Sequence, residues 1–223
     1  MAVRGAGSIT ISSRWLIVCG AAISLAGLAA EIGYAVVGET PLSLRVVRFL
    51  SLSAEGNLPT WYASSLLLVA ALLLVAIARS ARRDATETAH WWVLALGFFY
   101  ISLDEAVEIH EGWSDYISSS GIAYFGWVIP AAVIVVLVAL AYVPFLRRLP
   151  RWARLGFLVS GAIYVGGALL MELPLGAWTE LHGTDNLTYA LLDWVEETLE
   201  LVGVSLFLIY LERYRDQGLS DGA

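Results

Sequence analysis

The 223 residues contain no lysine and a single cysteine, Cys19. The first absence excludes lysine chemistry such as Schiff-base formation. The second excludes an internal disulfide framework and any multi-cysteine zinc site, and leaves Cys19 as a small apolar residue of the first hydrophobic stretch. Charge is scarce too, at 15% of residues, where soluble domains carry about 25%. No nucleotide-binding loop, serine-hydrolase elbow or zinc-protease motif occurs. What fills the chain instead is apolar: 59% of residues are hydrophobic and the mean hydropathy is +0.73. This is the composition of an all-α, polytopic integral membrane protein.

Six apolar stretches, at about 15–37, 61–78, 91–111, 122–146, 155–173 and 189–211, approach the roughly 20 helical residues that cross a hydrocarbon core. They predict a single transmembrane domain over 1–223, a bundle of six helices. The first stretch is longer than the core of a signal peptide and is read as a span. Arginine fixes the expected orientation. Arg4, Arg14, Arg79, Arg82, Arg83, Arg147, Arg148, Arg151, Arg154, Arg213 and Arg215 all fall on one side, and only Arg45 and Arg48 on the other. The positive-inside rule then puts both termini in the cytoplasm of a cell membrane. Basic patches of this kind face anionic lipid rather than nucleic acid.

Against that apolar background two acidic runs stand out, SLDEAVEIHE at 102–111 and DWVEETLE at 193–200. Ionisable residues inside a span mark function. In each run acids recur at i, i+4 and i+7: Asp104, Glu108 and Glu111, then Asp193, Glu197 and Glu200. At 3.6 residues per turn each trio forms one stripe on one helix face. The antiparallel third and sixth spans would bring Asp104 level with Glu200, Glu108 with Glu196 and Glu197, and Glu111 with Asp193, so the two stripes are expected to face each other.

Acids at the start of the sixth span are favoured by its macrodipole, whereas those at the end of the third are disfavoured. So many carboxylates need raised pKa values, paired arginines or bound cations. The expectation is a divalent metal ion, with iron, manganese, calcium and zinc not distinguished. Its ligands would come from Glu105, Glu108, Glu111, Asp193, Glu196, Glu197, Glu200 and Glu172, helped by His110 or His182, with Asp104 handling protons as the catalytic acid. In an ideal helix His110 lies well away from the stripe. His182, read as part of a loop LHGTDN within 174–188, is free to fold over the acids. Glu31 is a further candidate, and His90 is expected to be an interfacial anchor.

The segment at 40–61 suggests an interfacial helix, because apolar residues alternate with Arg45 and Arg48 at helical spacing. Those arginines could hold lipid phosphates or a phosphorylated substrate, or neutralise neighbouring acids. Pro59 and Thr60 read as a turn and N-cap before the second span.

EGNLPTWYASSLLL at 55–68, FYISLDEAVEIHE at 99–111 and NLTYALLDWVEETLE at 186–200 together make a chain that resembles a recurrent group of bacterial polytopic membrane proteins. The resemblance covers most of the chain and implies a multi-pass fold in a bacterial inner membrane, with no substrate or reaction attached. The residues themselves favour a membrane-embedded metal-dependent enzyme acting on a lipid or other apolar substrate. The alternative is a cation or proton-coupled transporter using the same acids, and a third class is a sensor or assembly protein. Expected partners are therefore membrane lipids and a divalent cation, without nucleic acid.

Overall fold

The computed structural model describes residues 12–80, 85–110, 112, 120, 121 and 124–220. Among these residues there is no strand, and the chain is helical almost throughout. Helix α1 (Ser13–Val37) ends at Gly38, whose φ of 79° carries the chain out of the helix. Helix α2 (Pro41–Leu50) opens on a reciprocal cap, in which Thr40 and Ser43 bond each other's backbone N–H groups, with Pro41 in the first turn. Proline is suited there because that N–H has no helical partner.

Helix α3 (Leu58–Ser80) starts one turn earlier than the sequence suggests. Its cap is Asn57, whose Oδ1 accepts from the Thr60 N–H at 3.2 Å. Pro59 lies inside the helix, so the expected turn and cap at Pro59 and Thr60 are corrected: the side chain that satisfies the orphan donor belongs to Asn57.

Helices α4 (Ala85–Val107), α5 (Val128–Arg148), α6 (Arg151–Val165), α7 (Glu172–His182) and α8 (Leu187–Ser220) complete the chain. A π-helical segment, Gly166–Met171, joins α6 to α7 without a break. The expected loop at 174–188 is thereby corrected: most of it is helix, and only a short turn at 183–186 precedes α8. Four rods, α1, α3, α5 and the joined 151–182, are long and apolar enough to cross a membrane. Helices α4 and α8 match them in length and carry the acids.

Helix α8 forms the spine. It packs against α1, α3 and α6, and α3 in turn packs along α4. Close approach depends on glycine at two crossings, where a Cβ on Gly156 would strike the Tyr210 ring and one on Gly203 would strike Tyr164. Small residues let helices meet this way where lipid supplies no hydrophobic drive. Leu67, Ala70, Leu74, Leu208 and Leu211 are fully enclosed between them. Helix α5 touches its neighbours sparsely and leaves Val133, Ile134, Leu137 and Leu140 exposed, as a lipid-facing helix does.

Helix α4 meets α8 mainly through aromatic side chains. Phe98 stacks on Phe207 at 4.7 Å between ring centres, and Trp91 lies 5.2 Å from Tyr214. These contacts fix an antiparallel register that brings the last turn of α4 level with Glu197 and Glu200. Trp91 also meets Phe145 and Phe157 edge-on, and Arg213 lies over Trp152. The arginine-rich end of the bundle is therefore closed by a packed aromatic layer.

Candidate functional site

At the opposite end from that layer, the acids of α8 gather carboxylates from three other helices. Glu200 and Glu197 lie within electrostatic range of Glu105 on α4, and Glu196 and Glu200 within range of Glu172 at the first position of α7. Asp193 is the next acid along and lies within range of Glu31 on α1. Glu31, Glu172 and Glu196 are each more than nine-tenths buried.

Local geometry explains how these groups come so close. The π segment widens the helix by one residue per turn, a distortion that recurs at functional sites, and it sets Glu172 directly after itself. Gly167 on that segment is buried against α8: a Cβ there would lie 2.7 Å from the Glu196 carbonyl oxygen and 3.0 Å from Glu200 Cγ. Gly203 similarly seats Tyr164, whose hydroxyl then donates to the Glu200 carboxylate.

Hydroxyls hold the other acids. Ser51, fully buried, donates to Glu31, and Ser53, whose hydroxyl donates to the Ala190 carbonyl at 3.4 Å, lies beside Asp193. Ser24 bonds Thr198 at 2.8 Å, and its carbonyl accepts from Trp194 Nε1 at 2.9 Å, which locks α1 to α8 beside the cluster. Glu196 Oε2 is buried and lacks a described hydrogen-bond partner. Among the described residues no arginine pairs with Glu105, Asp193, Glu196, Glu197 or Glu200.

The third-span stripe does not survive as expected. Helix α4 stops at Val107, and Glu108 is exposed in the left-handed region at φ 57°. Its N–H still bonds the Asp104 carbonyl at 2.7 Å, but beyond it the chain turns back. Asp104 causes this: its Oδ1 accepts from the His110 N–H at 2.8 Å, and its Oδ2 pairs with His110 Nδ1 at 3.0 Å. Negative charges at a helix C-terminus are unfavourable, and here a carboxylate instead captures the N–H that another helical turn would have used.

Three readings of single residues change as a result. Glu105, rather than Glu108, faces Glu197 and Glu200. Asp104 serves as a cap for the end of α4. His110, remote from the acids in an ideal helix, packs at 4.8 Å on Trp127 and lies within electrostatic range of Glu105. Glu111 lies outside the described residues.

His182 does not fold over the acids. It ends α7, exposed, with its ring stacked 4.0 Å from that of Trp178. His90 lies between Tyr142 and Phe145. Among the described residues no three histidine, cysteine, aspartate or glutamate side chains converge closely enough to hold a metal ion. Tyr164, Ser51 and Ser53 were not legible as partners of the acids. The only hint was the glycines bracketing Tyr164 in sequence, since glycine between apolar helical residues marks close helix contact.

No curated protein and no solved structure matches the chain. One family model does, over residues 15–214, which include every acid of the cluster, and the chain belongs to that family, described as domain of unknown function DUF8692.

Proposed function

We propose that the chain crosses the cell membrane six times, on α1, α3, α4, α5, the joined rod 151–182 and α8, with both termini cytoplasmic. The one-sided arginines support this, and they leave the acid cluster toward the extracytoplasmic face. In a Cys19→Ser background, a cysteine at Thr184 should react with an impermeant thiol reagent added outside, and one at Pro150 only after permeabilisation. The reverse pattern overturns the topology.

Within that frame the cluster is an acid–base site, reached from the extracytoplasmic side, of a membrane-embedded enzyme for a lipid or other apolar substrate. One observation carries this reading: Glu105, Glu197 and Glu200 lie in one another's fields, and Glu196 in those of Glu197 and Glu200, with no described arginine among them. Two ionised carboxylates about 6 Å apart repel by roughly 3 kcal/mol at an effective dielectric of 20. The cluster must therefore hold positive charge, and protons supply it without requiring three ligands to converge on one point.

A divalent cation is the second reading, supported by the all-oxygen donor set and by the unpartnered Glu196 Oε2, which suit a hard ion. It requires the acids to draw closer than they stand. The aromatic layer at the arginine end supports a one-sided site over a path through the protein.

The test is infrared titration of the purified protein, with metal analysis of the same sample. Protonated-carboxyl bands that disappear in Glu197→Gln and Glu200→Gln but persist in Glu108→Gln support the acid–base site. Stoichiometric metal lost in the same variants moves the conclusion to the cation. Glutamate-dependent proton or cation flux in sealed proteoliposomes replaces the enzyme by a transporter.

A further inference from the structure

A second site lies apart from the acids, where α2 meets the start of α3. A cleft of about 680 Å³ opens there, and its walls include Arg45, Arg48, Phe49, Asn57 and Trp61. No acid lines it. Arg45 and Arg48 stand one helical turn apart on α2, so both guanidinium groups share a face. Both are exposed, and neither forms an ion pair with a described residue. Of the roles open to them from sequence, neutralising neighbouring acids is therefore not the one the structure supports.

The cleft is held open by the chain around it. Asn57 donates to the carbonyls of Ser51 and Ala54 at 2.7 and 2.5 Å and accepts from Thr60. These bonds fix the turn that forms one wall. Gly56, at φ 65°, adopts a backbone that side chains resist. No residue of α2 is buried, so the helix lies on the surface of the bundle with its arginines beside apolar groups.

Those apolar groups decide what kind of anion fits. Leu42, Phe49 and Trp61 are 70%, 58% and 67% exposed around the arginines. A free anion would leave them in water, whereas an amphiphile would cover them. Short amphipathic helices of this composition lie in the headgroup region, where tryptophan concentrates. Planar guanidinium groups match phosphate oxygens in paired hydrogen bonds.

We propose that this cleft binds the phosphate headgroup of an anionic membrane lipid, with Arg45 and Arg48 on the phosphate and the acyl chains along Phe49 and Trp61. The site rests on its own charge and shape and stands whether or not the acid cluster has the role proposed above.

The test uses the full chain purified in neutral detergent and titrated with phosphatidylglycerol carrying brominated chains, which quench nearby tryptophan. Wild type should show saturable quenching, reduced in Trp61→Phe. Arg45→Gln/Arg48→Gln should bind about 30-fold more weakly, from about fivefold for each arginine near anionic lipid. Brominated phosphatidylcholine should bind both proteins equally weakly, and inorganic phosphate should not compete.

Equal phosphatidylglycerol affinity in wild type and the double variant overturns the proposal. Full competition by inorganic phosphate overturns it in favour of a free anion. The phosphatidylglycerol, phosphatidylcholine and phosphate comparisons on wild type decide between these outcomes even if the double variant fails to fold.

Discussion

Replacing Gly167 by alanine tests whether the π segment must lie flush against α8 for the acids to meet. The added Cβ would come within 2.7 Å of the Glu196 carbonyl oxygen, 3.0 Å of Glu200 Cγ and 3.1 Å of Leu199 Cβ. Side chains could yield, but the first contact is with backbone already committed to the α8 helix, so the π segment itself must move away. Overpacking of this kind costs about 1–3 kcal/mol, partly offset by the better helix propensity of alanine, about 1 kcal/mol. The net loss, up to about 2 kcal/mol, should lower the thermal midpoint by up to about 8 °C for a chain of this length.

Gly161 supplies the control. It lies in α6, with nothing within 4 Å of where its Cβ would sit, so Gly161→Ala should gain the propensity term alone and raise the midpoint by a few degrees. Both variants are to be measured in the same detergent by intrinsic tryptophan fluorescence during heating. A Gly167→Ala midpoint equal to or above that of Gly161→Ala would refute close packing of the π segment on the acidic face of α8.

Three further changes probe the polar contacts. Ser51→Ala removes the hydroxyl that bonds Glu31 in a fully enclosed position and should cost about 1–3 kcal/mol; Glu31→Gln added to it should recover part of that loss, and an unchanged midpoint in Ser51→Ala would show the bond to be absent. Asp104→Ala removes both bonds to His110, and amide exchange at His110 should accelerate about 5- to 30-fold, as expected for about 1–2 kcal/mol; unchanged protection would mean the turn is held by something else. Glu105→Gln and Glu197→Gln should be non-additive in thermal stability by about 0.5–3 kcal/mol because they share a field, whereas Glu108→Gln with Glu197→Gln should be additive. Coupling of the second pair and not the first would restore the expected stripe.

Much of this molecule could be read from its residues because membrane insertion imposes strong local rules. A run such as LLLVAALLLVAIA at 66–78 has to be helix in lipid, since no water is present to satisfy its backbone. The bodies of α1 and α3 follow from such runs, whereas the start of α3, capped by Asn57, lies one turn before the expected cap at Thr60. The amphipathic pattern around Arg45 and Arg48 located α2 for the same reason. The acids of α8 were legible as a group because their helix continues unbroken through all of them, so ideal periodicity holds from Asp193 to Glu200.

Periodicity failed where a side chain competed with the helix. Asp104 binds the His110 N–H at the end of α4, which leaves Glu108 outside the helix and exposed, and nothing in the spacing of SLDEAVEIHE announces that competition. The segment 174–182, expected as loop, is helix instead, because the π segment Gly166–Met171 joins it to α6 without a break.

The sequence by itself determined a helical membrane protein with its acids concentrated on two segments, because hydropathy and arginine content act residue by residue. Only the tertiary structure decided which acids meet, because that depends on where one helix stops, where another widens, and how closely glycines let them approach. Each of those is a property of pairs of helices, and no single segment carries it.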